Sequence, residues 1–112
     1  MHMTAPDPGH FAALADPTRL AIVTRLARGP ATAGEIAAMF PISQPAISRH
    51  LKVLGRAGLI RRGRRAQTRP AELDPAAVAL LAGWAGGLHA VLSARFQRID
   101  EILAALEDDD AE

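Results

Sequence analysis

Two helix starts with only a tight turn between them constrain this chain more than any other feature. Thr32 and Glu35 form a T-x-x-E capping box, in which each side chain accepts a backbone N–H that the first helical turn leaves unpaired. The helix this box opens, from Thr32 to Phe40, turns Ile36, Met39 and Phe40 inward and stops near Pro41. Ser43 then caps a second helix that runs to about Arg56, with Pro45 inside the tolerated first turn and Gly58 beyond the end. Two helices joined so closely make a helix-turn-helix. In the second helix Ile47, Leu51 and Leu54 share a face at spacings of four and three, which is the core side. Gln44, Ser48, Arg49 and Lys52 therefore point away from the core, with no aliphatic residue expected among them. These side chains suit a DNA major groove: Arg bonds guanine bidentately, Gln bonds adenine, Ser serves a base or a phosphate, and Lys a phosphate.

The rest of the chain supplies a scaffold and an extra ribbon. Asp16 before Pro17 is a helix start in two residues, a capping carboxylate followed by a proline that loses no bond it needed. The helix predicted from Pro17 to about Arg28 has Leu20, Ile22, Val23, Leu26 and Ala27 on its apolar face and ends at Gly29 and Pro30. Phe11 to Ala15 forms a shorter helical stretch before it. Leu59–Arg62 and Thr68–Leu73 read as strands joined by the loop Gly63–Gln67, a basic hairpin in which Pro70 holds the second strand to an edge, as in an isolated ribbon. Asp74 and Pro75 repeat the cap-and-proline start, and a long helix follows to about Leu106. Along it Val78, Leu81, Ala85, Leu88, Leu92, Phe96, Ile99, Leu103 and Leu106 recur at threes and fours, a stripe longer than the small core before it can cover. Self-association is the economical explanation. Gly83, Gly86 and Gly87 each cost that helix about 0.5–1 kcal/mol, which close approach of a second helix, a kink or a small effector pocket would offset.

Composition narrows the function classes. At 112 residues the chain is one small domain, and without cysteine it has no disulfide, thiolate metal site or cysteine nucleophile. The net charge of +1 conceals an asymmetry: no acid lies between Glu35 and Glu72, where Arg49, Lys52, Arg56, Arg61, Arg62, Arg64, Arg65 and Arg69 fall, while Glu107, Asp108, Asp109, Asp110 and Glu112 crowd the end. A basic block of this kind suggests an anionic partner, against the plainer reading of a solvated face. Pro75 to Ala94 carries no formal charge and has the length of a membrane span, but its alanines, glycines, His89 and Ser93, and the amphipathic stripe running on past Arg95, argue against lipid. Nothing near Met1 reads as a secretion signal, so a cytoplasmic protein is expected. No nucleophile elbow, phosphate-binding glycine loop, carboxylate pair or H-E-x-x-H is present, and catalysis is not expected.

The segments ALADPTRLAIVTRL (Ala13–Leu26) and SQPAISRHLKVLGRAGLI (Ser43–Ile60), in this order and spacing, resemble the arsenical-repressor family of winged helix-turn-helix transcription regulators. With the terminal helix the resemblance covers about residues 11–106. The wing RRAQTRPAEL and the following helix, with Trp84, Arg95, Phe96 and Ile99, resemble a metal-independent branch. The resemblance implies a mostly α fold of five to six helices with a small β-hairpin wing, dimeric through its first and last helices. It implies a cytoplasmic homodimer that binds double-stranded DNA at an inverted-repeat operator and represses transcription, with no cofactor and no metal. Carried onto this sequence, Ser43, Gln44, Ser48, Arg49, His50 and Lys52 are recognition-helix positions, and Arg62, Arg64, Arg65 and Gln67 are wing positions. Dimer contacts fall to Phe11, Leu14, Leu81, Trp84, Leu88, Leu92 and Phe96. Residues 1–9 are then a flexible segment, 10–106 the DNA-binding and dimerisation domain, and 107–112 an acidic tail. The chain departs from the family in having Thr68 where an aromatic often follows the wing turn, and in lacking cysteine in the Thr32–Phe40 helix.

Several residues keep two readings. His50 is either a phosphate contact or a packed helix residue. His89 is an interface side chain before it is a ligand, and Trp84 is core or interface before it is a ligand platform. A winged domain serving only as a protein-interaction module, without DNA binding, is the alternative of a different class.

Overall fold

The computed structural model describes residues 5–63 and 69–110. Its order is α1 (Pro8–Leu14), α2 (Pro17–Leu26), α3 (Ala33–Ala37), α4 (Gln44–Arg56), β1 (Ile60–Arg62), β2 (Ala71–Leu73) and α5 (Pro75–Asp110). Three helices begin in the same way. Asp7, Asp16 and Asp74 each stand before a proline and accept N–H groups of the following turn, Gly9 at 2.9 Å, Arg19 at 3.0 Å and Ala76 at 2.9 Å. Asp7 and Pro8 start α1 three residues ahead of the expected Phe11.

The capping box of α3 is complete, with Glu35 N–H donating to Thr32 Oγ1 and Thr32 N–H donating to Glu35 Oε1, both at 3.1 Å. This helix stops at Ala37 rather than near Phe40, because Met39 and Phe40 donate to Ile36 and Ala37 in tighter three-residue turns. The early stop leaves Met39 exposed and Phe40 only half-buried, where the spacing predicts both inward. Leu20 and Ala27 are also exposed, so the inward face of α2 narrows to Ile22 and Leu26, with Val23 half-buried. A Schellman motif ends α4: Gly58, at φ +78°, donates to Gly55, and Leu59 donates to Leu54. It delivers Leu59 and Ile60 straight into the core.

β1 and β2 pair antiparallel in the register Ile60↔Leu73, Arg61↔Glu72, Arg62↔Ala71. The ribbon is not isolated as the proline suggested. Ala71 donates to Ala31 at 2.8 Å and accepts from it at 3.1 Å, a bridge that ties the base of the wing to the chain just before α3. Pro70 needs no N–H here; its carbonyl accepts from Gly63 at 2.8 Å.

Ile22, Ile36, Ile47, Leu51, Leu54 and Leu59 are the largest fully buried side chains, each worth about 1.5–3 kcal/mol against exposure. None is aromatic. α5 leaves this core after its first four turns: Ala77 and Gly87 are buried, Leu81, Trp84 and Ala90 are half-buried, and every residue from Val91 to Asp109 is exposed. The radius of gyration is 20.8 Å, against about 13 Å for a compact chain of 100 residues. Part of α5 is long and apolar enough, with a mean hydropathy of 1.6, to cross a membrane by length and composition.

Candidate nucleic-acid interface

The helix-turn-helix is formed by α3 and α4, and burial fixes how α4 is turned. Ile47, Leu51 and Leu54 are buried; Ser43, Gln44, Arg49, Lys52 and Arg56 are exposed; Ser48 is half-buried at the margin. One turn beyond Lys52, Arg56 extends the cationic row, though its place in the basic block alone does not put it on the helix face. Val53 is exposed one turn beyond Arg49, an aliphatic residue where none was expected. Ser43 is occupied as the cap, its Oγ accepting from Ala46 at 3.3 Å. The Gln44 amide lies beside α3, its Oε1 3.7 Å from where a Cβ on Gly34 would sit.

His50 stands apart from that row. It is half-buried against the α1–α2 junction, with Nδ1 3.5 Å from Arg19 Nη1 and 4.0 Å from Asp16 Oδ2. Arg19 also donates through Nε to the Ala13 carbonyl at 2.6 Å, so one guanidinium links the end of α1 to α4. The Asp16 carboxyl is held below the usual aspartate range, first by the backbone N–H of Arg19, then by the charges of Arg19 and His50, against an opposing desolvation. These contacts through Nδ1 are those of a helix residue packed against α1 and α2. The missing signal was Asp16 and Arg19, which are too far away in sequence for helical periodicity to connect.

At the wing, Arg61 pairs across the ribbon with Glu72, Nε to Oε1 at 2.8 Å. Arg62 donates through Nε to the Arg69 carbonyl at 3.1 Å, and burial, then the like charge of Arg69, lowers its pKa. It nonetheless stays charged at neutral pH. The expected wing positions Arg64, Arg65 and Gln67 lie outside the described residues. No group of three or more His, Asp or Glu side chains placed to hold a metal occurs among the described residues.

Of the residues expected at a dimer contact, Leu88, Leu92 and Phe96 are exposed on α5. Phe11 and Trp84 meet edge to face within the chain, ring centroids 5.2 Å apart at 63°, and so join α1 to α5. Leu14 and Leu81 pack against the core of their own chain. His89 is exposed on α5.

A helix-turn-helix followed by a β-ribbon, with a cationic outward face on its second helix, defines the winged helix-turn-helix fold. Residues 16–62 match the model of the bacterial regulatory proteins of the arsR family. The HTH-type transcriptional regulator Rv2034 of Mycobacterium tuberculosis is 51% identical over 69 residues, 62% of this chain and 64% of that protein. The transcriptional repressor SdpR of Bacillus subtilis is 47% identical over 57 residues, 51% of this chain and 63% of the repressor. The chain thus spans a little under two thirds of each of these curated relatives. Among solved structures, the ArsR family transcriptional regulator RHA00566 is 32% identical with a TM-score of 0.67, over 77% of this chain and 94% of that one. The homodimeric winged helix-turn-helix DNA-binding domain of Mb0332 from Mycobacterium bovis is 26% identical with a TM-score of 0.61, over 77% and 76%. The chain belongs to the arsR family.

Proposed function

We propose that the protein is a cytoplasmic homodimeric repressor that binds an inverted-repeat DNA operator. The observation that carries this reading is the outward face of α4. Gln44, Arg49, Lys52 and Arg56 are all exposed opposite a buried Ile47, Leu51 and Leu54, and no acid lies on that helix. Arg49 and Gln44 read base edges in the major groove, while Lys52, Arg56 and the wing arginines neutralise phosphates. A second protomer covers the exposed stripe of α5, and two-fold pairing makes the operator palindromic. The repressor SdpR and the homodimeric Mb0332 domain support the direction of regulation and the pairing. No metal and no cofactor enter this reading.

Footprinting on the DNA upstream of its own gene tests it. The expected result is a protected inverted repeat with half-sites about one helical turn apart, about 34 Å. Failure to bind any duplex at low ionic strength would instead leave a winged module that contacts only proteins.

A further inference from the structure

Leu20 and Met39, both expected inside, are 51% and 52% exposed, and they face the same groove. The groove runs between α2 and the turn after α3, open to solvent along its length, with a volume of about 430 Å³. Leu20, Ala21, Met39 and Phe40 give it an apolar floor, Arg25 and Arg28 stand along one end, and no acid is among its lining residues. We infer that this groove binds a small amphiphilic carboxylate, with its hydrocarbon body over Leu20, Ala21, Met39 and Phe40 and its anionic head at Arg28.

Size and charge select that occupant. The volume falls in the range of small-molecule sites, about 300–1,000 Å³, whereas a stable protein partner would bury about 20–30 residues on each side. Methionine on the floor lets the groove adapt to a flexible chain. Arg25 is committed, donating through Nη1 to the Gly29 carbonyl at 3.2 Å and lying with Nε 3.3 Å from Met39 Sδ. It is the local partner of the α2 C-terminus. Arg28 is exposed; its backbone N–H donates to the Arg25 carbonyl at 3.1 Å, and its guanidinium has no hydrogen-bond or ion-pair partner among the described residues. A cation at one end of an apolar groove free of acid favours an anionic head over a neutral or cationic one. The groove lies on α2 and the turn after α3, apart from the exposed part of α5, so its occupancy is separable from pairing of the chain and can be read without DNA.

The test is a titration of the full-length protein, free of DNA, with decanoate, decanol and decylammonium, each kept below its micelle concentration and followed by backbone amide shifts. Decanoate should give saturable shifts at Ala21, Thr24, Arg28 and Phe40, and decylammonium should bind about tenfold more weakly or not at all. Arg28→Glu should weaken decanoate about tenfold. Thr24→Trp should plug the groove; Thr24 is exposed and its hydroxyl donates to the Leu20 carbonyl of its own helix at 2.8 Å. The unliganded amide spectrum of each variant verifies its fold, and Arg28→Glu, at an exposed site, stands if Thr24→Trp does not fold. Four results would overturn the assignment: no saturation, equal affinity for the cationic amphiphile, shifts confined to Leu88–Leu106, or groove shifts that follow protein concentration alone and so report a second copy.

Discussion

Arg49 and Lys52 are both exposed on α4, and both are cations, yet they should differ in what they do to binding. A guanidinium bonded to a base edge discriminates between sequences; an ammonium on a phosphate does not. Arg49→Ala and Gln44→Ala are expected to weaken operator binding by about 1–3 kcal/mol while sparing random duplex. Lys52→Ala should weaken both alike and lower the salt slope of log K by about one. Competition binding against operator and random DNA over a salt series measures both; equal losses on the two DNAs for Arg49→Ala would remove it from base recognition. That these side chains face outward was legible because Ile47, Leu51 and Leu54 declare the opposite face by their spacing. His50 was not legible in the same way. It lies between the two faces, and its neighbours Asp16 and Arg19 come from a helix start distant in sequence.

At the scale of elements, the caps carry both what could be read and a testable acid sensitivity. Asp16 and Glu35 have carboxyl groups lowered from ordinary values of 3.8 and 4.5, each first by the backbone N–H it caps, that of Arg19 for Asp16 and that of Thr32 for Glu35. The unfolded chain therefore binds more protons than the folded one in this range, and stability rises with pH there. The contribution is complete above about pH 5 and is lost as pH falls through the lowered folded-state values. Thermal unfolding followed by circular dichroism should show Tm falling from pH 5 to pH 3, and the fall should flatten in Asp16→Asn combined with Glu35→Gln. An unchanged slope in that variant would assign the acid sensitivity elsewhere. Caps are legible because two or three polar residues specify them locally. The bridge between Ala31 and Ala71 is not, since alanine carries no pairing signal and the partners are distant in sequence. The early end of α3 escaped for a related reason: the spacing of Ile36, Met39 and Phe40 fits a continuing helix, and only the three-residue hydrogen bonds show that it has stopped.

At the scale of the whole molecule, a single copy leaves a long apolar surface open on α5. Leu88, Leu92, Phe96, Ile99, Leu103 and Leu106 are all exposed along α5, and the chain measures 76 Å on its long axis. A row of large apolar side chains on so extended a helix is costly in water, and a second α5 can cover it while completing a symmetric DNA-binding unit. Leu80, Val91 and Ile102 are exposed too, so the apolar surface is broader than the predicted stripe. Which part pairs is decided by placing charges. Leu88→Glu or Phe96→Asp should give a monomer at micromolar concentration and abolish operator binding with it, while the core, which contains neither residue, keeps α1 to α4 folded. Leu80→Glu, on a different line of the helix, separates pairing through the stripe from general apolar contact by leaving the dimer intact. Sedimentation of wild type and variants without detergent reads the assembly directly. A monomeric wild type would show that the stripe is not a contact between copies, and recovery of the protein only from the membrane fraction would assign the apolar surface of α5 to lipid.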